Sequence, residues 1–192
     1  LLLSSSPANS MVACMEPDRL NAAPLEWTAP SLMRRVGMLR GADPTLASEV
    51  VVLSAHLDHI GVTKPVDGDA INNGALDNAI GIASMLEVAK AFGAEGTRPK
   101  RSLLFVAVTA EEKGLIGSDY FAAHPTVAKE NVVANVNLDM PILTYRFVDL
   151  VAFGADRSSI GPAVAAAAKA RGLALVPDPA PEEADFVRTD HY

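Results

Sequence analysis

A chain of 192 residues, 49% of them hydrophobic, is long enough to bury one core and reads as a single domain. With 23 acidic against 16 basic residues it carries a net charge of −7, which argues against a nucleic-acid partner or an anionic membrane surface. No apolar run approaches the roughly 18 residues of a membrane-spanning helix, and the single cysteine, Cys14, permits no internal disulfide.

Residues 1–32 contain Pro7, Pro17, Pro24 and Pro30 without any hydrophobic period, and read as an irregular segment or the end of an upstream domain. Leu1 to Leu3 and the small residues up to Cys14 are similar to the tail of a lipoprotein signal, but the basic leader and initiator Met of such a signal are missing. A sequence that opens on Leu1 and closes on Tyr192, without polar tails, reads as a fragment of a longer chain. Residues 35–41 predict a first short strand, followed by a turn at Gly41-Ala42-Asp43-Pro44. The run Val50-Val51-Val52-Leu53 is β-branched and apolar throughout, the pattern of a strand buried on both faces.

Residues 61–74 read as a polar loop. A helix is then predicted from about Asp77 to Phe92, with Ile80, Ala83, Met85, Leu86, Val88, Ala89 and Phe92 as its apolar face and Gly93 as its stop. Residues 102–109 (SLLFVAVT) predict a second buried strand, 114–123 a helix closed by Pro125, and 131–138 (NVVANVNL) a third strand. Strands at 147–153 and 173–176 flank an alanine-rich helix at 158–171, capped by Ser158 or Ser159 and ended by Gly172; residues 177–183 are a loop. This alternation predicts an α/β domain with a largely parallel sheet between helix layers.

Ionisable residues recur where these strands end: His56 and Asp58, Glu111 and Glu112, then Asp139. Asp77 falls at a helix N-terminus, where unpaired N–H groups favour a carboxylate, and His191 lies in the terminal loop. Each alone has an ordinary explanation, as a strand-end pair, a helix cap or a solvated turn. Together they crowd acids at one sheet edge, where mutual repulsion raises their pKa values unless cations are bound. Mixed imidazole and carboxylate ligation suits Zn²⁺, with Mn²⁺ or Co²⁺ as substitutes. If the strand period of two continues, His56 and Asp58 share a face and His59 points to the other, which favours a structural role for His59. His124 reads as a surface helix end, and Asp67 and Asp69 as solvated loop acids.

Five segments carry a resemblance: SAHLDHIG (54–61), NNGALDNAIGIASMLEVAKAF (72–92), AVTAEEKGLIGSDYF (107–121), NLDM (137–140) and RTDHY (188–192). In this order they resemble the M28-type co-catalytic zinc peptidases, mostly aminopeptidases, over about residues 33–192. The resemblance implies a three-layer α/β/α sandwich with a mostly parallel mixed sheet, lacking here its last strand–helix unit, and a cis peptide between Asp77 and Asn78. It implies two Zn²⁺ per chain: Asp77 bridges both, His56 and Asp139 complete one site, Glu112 and His191 the other. Asp58 orients His56, and Glu111 is the general base for a metal-activated water. The activity implied is removal of N-terminal residues from peptides with a free N-terminus, in a secreted or periplasmic location. The alternatives are a one-metal glutaminyl-cyclase-type acyltransferase, a carboxypeptidase using Arg188, or a non-catalytic relative; two, one or no zinc ions separate the peptidases, the cyclase and the relic.

Overall fold

Seven consecutive residues of Ser102–Val108 are buried, so this strand forms the spine of the sheet. The computed structural model describes residues 26–31, 34–94 and 98–192. The strands of the main sheet are β1 (Glu26–Ser31), β2 (Arg34–Leu39), β3 (Val50–His56), β6 (Ser102–Val108) and β7 (Val132–Asn137). They lie in the order β1-β2-β6-β3-β7. β3 pairs in parallel with β6 from Val50↔Ser102 to His56↔Val108, and in parallel with β7 on its other side. β2 runs antiparallel to both β6 and β1, so it alone opposes the common direction.

The chain passes from β3 through helix α1 (Ile80–Ala94) to β6, and from β6 through α2 (Ile116–Ala123) to β7, on the far side of β3. The connections leaving β3 and β6 therefore run in opposite directions across the sheet, and the crevice at the carboxyl ends of these two strands is the usual ligand position in open α/β sheets. One face of the sheet packs Ala55, Leu103, Phe105 and Ala107 against Met85, Ile82, Val88 and Phe92 of α1. The other packs Val50, Val52, Leu104, Val106 and Val108 against Phe121 of α2 and Val127. Helix, sheet and helix form the expected three layers.

Several local expectations change. Glu26–Ser31 is a strand where the sequence shows no period. Among the described residues it pairs through its backbone with β2 alone, and such an edge strand tolerates Pro30. The irregular reading of residues 1–25, and Cys14 with it, lies outside the described residues. The polar loop contains a hairpin, β4 (Val62–Val66) and β5 (Asp69–Ile71), turned at Asp67-Gly68, both with positive φ. Asp-Gly between short apolar runs is a hairpin signal that outweighs the polarity of the segment. Further on, β8 (Asp149–Val151), helix α3 (Gly161–Ala170) and β9 (Ala174–Val176) form a separate two-stranded parallel unit rather than extending the main sheet. α3 starts at Gly161, after Ile160 and without a side-chain cap, so neither Ser158 nor Ser159 serves as its cap.

Candidate metal centre

β3, β6 and β7 all end at the crevice, and each is followed within three residues by an acid: Asp58, Glu111 and Asp139. His56 is the last residue of β3 and is almost wholly buried. Its ring is fixed by Nδ1, whose proton is donated to the backbone carbonyl of Asp58 at 2.9 Å. Nε2 is then the ring atom turned toward the acids, buried and, among the described residues, outside hydrogen-bond geometry with any partner. Nε2 lies 3.2 Å from Asp77 Oδ1 and 3.4 Å from Asp139 Oδ1, outside hydrogen-bond geometry with either. Two donors on one tetrahedral zinc, each about 2.0–2.1 Å from the ion, are themselves about 3.3 Å apart. The spacing of these atoms is that of ligands around a shared cation.

Asp77 follows the left-handed Gly74 and precedes α1 on a turn where Asp77 and Asn78 leave helical geometry, with a cis peptide between them. The helix itself begins at Ile80, three residues later than the sequence predicts. Asp77 faces both sides: Oδ1 toward His56, and Oδ2 3.5 Å from His59 Nδ1. The candidate ligands fall into two groups, His56 with Glu111 and Asp139, and His59 with Asp77 and Glu112. Glu111 Oε2 stands 4.0 Å from His56 Nε2, farther than the two aspartate oxygens.

The turn that carries Glu111 and Glu112 leaves β6 through Ala110, whose φ of 60° is left-handed and costs roughly 1–2 kcal/mol. Asp58 stabilises this turn. Its Oδ1 accepts the N–H of Glu111 and its Oδ2 the N–H of Glu112, both at 3.2 Å. The expectation that its carboxylate orients His56 changes accordingly: Nδ1 is 3.8 Å from Oδ1, and the hydrogen bond goes to the carbonyl instead.

His191 belongs to neither ligand group. Its Nδ1 shares a 2.6 Å hydrogen bond with Thr189 Oγ1, its ring meets Phe186 edge-on, and its Nε2 is buried without a partner among the described residues. Burial lowers its pKa, partly opposed by the charge of Asp139, so the ring stays neutral and able to bind a metal. Asp190 is buried beside it with both oxygens unpaired among the described residues; Ser118 lies close enough to favour the charged form but donates its hydroxyl proton to the Leu115 carbonyl.

The sequence missed His59 and Asn78. His59 Nδ1 lies 2.7 Å from Glu112 Oε1, on the same side as the site, because β3 ends at His56 and the period of two ends with it. Asn78, 2% exposed, donates to the Leu138 carbonyl at 2.9 Å and accepts the N–H groups of Gly81 and Met140. It thereby joins the segment bearing Asp77 to the one bearing Asp139. An amide next in sequence to a predicted ligand was the available signal.

The electrostatics match the expected crowding. Burial and the charge of Glu112 raise the pKa of Asp77, while burial and the charges of Asp190, Asp139 and Glu112 push Glu111 up to about 7 against the opposing pull of His56. Burial alone would lower His56, but Asp139, Glu111 and the Asp58 carbonyl overcome it and raise His56 to about 9. A group of acids that holds a proton on an imidazole at neutral pH has the charge to hold a cation there. The orphaned Nε2, the donor spacings and the mixed imidazole–carboxylate set all fit zinc.

The profile of peptidase family M28 matches residues 35–192. A probable zinc metalloprotease of Pyrenophora tritici-repentis is 37% identical over 78 residues, 41% of this chain and 18% of that protein. Among solved structures, a zinc aminopeptidase from Bacillus subtilis aligns over 75% of this chain and 34% of its own, with a TM-score of 0.58 and 21% identity. The glutaminyl cyclase of Porphyromonas gingivalis aligns over 81% and 60%, with a TM-score of 0.60 and 20% identity. At these identities the likeness is one of fold, and the chain spans under a fifth of that curated relative.

Proposed function

Because the chain belongs to peptidase family M28, we propose that it acts as a zinc-dependent exopeptidase, hydrolysing the N-terminal peptide bond of peptides with two Zn²⁺ per chain. The observation that carries this reading is Asp77, which offers one carboxylate oxygen to each ligand group. His56, Asp77 and Asp139 would hold one ion and Asp77 and Glu112 the other, with His191, which stands in neither ligand group, as its remaining ligand on the family resemblance. Bound zinc lowers the pKa of water and polarises the scissile carbonyl.

Glu111 is left to move protons. It stands 4.0 Å from His56 Nε2, farther than the two aspartate oxygens, so it would be free to take a proton from the attacking water and return it to the leaving amine. The Asp58 carboxylate fixes the backbone from which Glu111 projects, so the base is held while it changes charge. Among the described residues no helix is long and apolar enough to cross a membrane, and a secreted or periplasmic location accords with peptide substrates.

The test is zinc content and turnover of amino-acid p-nitroanilides by the full-length protein, with and without chelator. Two zinc equivalents and chelator-sensitive release of p-nitroaniline are expected. Glu111→Gln is expected to keep both ions and lose about 10²- to 10⁴-fold in turnover, since only the base is removed. One equivalent without hydrolysis favours a cyclase; undiminished turnover of Glu111→Gln refutes its role.

A further inference from the structure

His59 is among the residues closest to the charged centre, and the mechanism above gives it no task. Its Nδ1 stands 2.7 Å from Glu112 Oε1 and 3.5 Å from Asp77 Oδ2, with the side chain about three-quarters buried. Two roles fit such a neighbour: a ligand of the second cation, or a hydrogen-bond donor that holds a ligand. The first distance decides between them. Donors on one tetrahedral zinc lie about 3.3 Å apart, as His56 Nε2 and its aspartate partners do at 3.2 and 3.4 Å. At 2.7 Å, His59 and Glu112 are too close for that arrangement and at the usual length of a charge-assisted N–H···O bond.

From this geometry we infer that His59 is a positioning residue: its Nδ1–H holds Oε1 of Glu112 and turns the other carboxylate oxygen toward the second cation. The inference rests on the two-metal reading above. The surroundings are shaped for the ring. A Cβ on Gly74 would fall 2.8 Å from His59 Cβ and 3.1 Å from its Cγ, so the absence of a side chain at Gly74 keeps the space that His59 occupies. The same short loop thus serves both sides of the centre. The Asp58 carbonyl orients His56, the Asp58 carboxylate holds the Glu111–Glu112 backbone, and His59 holds the Glu112 side chain.

Nδ1 donation makes a distinction that simple packing does not. Asparagine carries its amide N–H near the position of Nδ1, whereas glutamine carries it near Nε2. The experiment measures zinc binding by the full-length protein in chelator-buffered zinc, for wild type, His59→Ala, His59→Asn and His59→Gln, with thermal unfolding in excess chelator as the check on folding. Expected is a wild type with two ions, and a His59→Ala whose more weakly held ion binds about 10- to 100-fold less tightly, the usual effect of removing a partner of a ligand. His59→Asn recovers most of that loss, His59→Gln does not, and the tighter ion is unchanged in all of them. Wild-type affinity in both His59→Ala and His59→Gln overturns the inference and leaves the two-metal reading standing. Equal loss in the asparagine and glutamine variants overturns it in favour of direct ligation or packing. A wild type that holds fewer than two ions overturns the two-metal reading, and this inference with it.

Discussion

The carboxylate of Asp58 reaches across from the end of β3 to the turn after β6, where it takes up the N–H groups of Glu111 and Glu112. Removing it leaves the Nδ1 bond of His56 intact, since that bond ends on the Asp58 carbonyl. Asp58→Ala is therefore expected to lower kcat/KM by about 10- to 100-fold, while the ion held by His56 remains in zinc analysis. Asp58→Asn keeps one oxygen acceptor and is expected to fall between the two. Full activity in the alanine variant would show that the turn holds itself. At this scale the residue types of H-x-D were legible, but the partner of each was not. The strand period ends with β3 at His56, so it carries no information on His59, while Asp58 meets His56 through its carbonyl and the Glu111–Glu112 backbone through its carboxylate.

α1 meets the sheet where two of the acids emerge, and Gly81 lies at that contact. A Cβ there would collide with Asn78 Oδ1 and with the backbone carbonyl of Leu138. Replacing glycine by alanine inside an exposed helix ordinarily stabilises by about 0.5–1 kcal/mol. Here forcing in one methyl costs about 1–3 kcal/mol, and the carbonyl is backbone that cannot rotate aside, so the sign reverses. Gly81→Ala is expected to destabilise by about 1–2 kcal/mol, read as a lowered urea midpoint, and to weaken zinc binding because Asp77 and Asp139 flank the displaced contact. An unchanged or raised midpoint would mean that the helix slides to accept the methyl. The existence of α1, β3, β6 and β7 was legible from their apolar patterns. The hairpin and the edge strand were less so, because β4 and β5 are short and exposed and β1 owes its place to backbone pairing.

Across the whole molecule, the raised proton affinities make stability depend on pH once metal is removed. His56 has a folded pKa of about 9 against 6.5 for the free side chain, so the stability its proton contributes is fully present below pH 6.5 and lost as pH rises to about 9. Glu111, raised from 4.5 to about 7, acts with the same sign in its own lower window. His191, lowered by burial, acts against them only below 6.5. In excess chelator the unfolding temperature is therefore expected to fall between pH 6.5 and 9. Zinc uptake requires the neutral imidazole, so it is expected to release protons at pH 7 and to stabilise more as pH rises through that window. Calorimetry in buffers of different ionisation heat counts those protons; a flat profile with no release would contradict the charge state assigned to His56.

Read alone, the sequence determined which ionisable residues follow its strands and their order along the chain. Apolar strand patterns ending in His56, Glu111–Glu112 and Asp139, with Asp77 ahead of a helix, sufficed for the α/β class; five motifs in order carried the resemblance to the family, and four of the expected ligands together with Glu111 are now grouped around the centre. Those features are local, and a strand or helix period reveals them within a few residues. Only the tertiary structure decided which atom meets which: the two oxygens of Asp77 facing different groups, Asp58 on a backbone some fifty residues away, His59 on Glu112, and β8–β9 apart from the main sheet. Those contacts depend on how far a strand runs before it turns and on which loops then meet across the crevice, quantities set by packing between distant segments rather than by any periodicity within one.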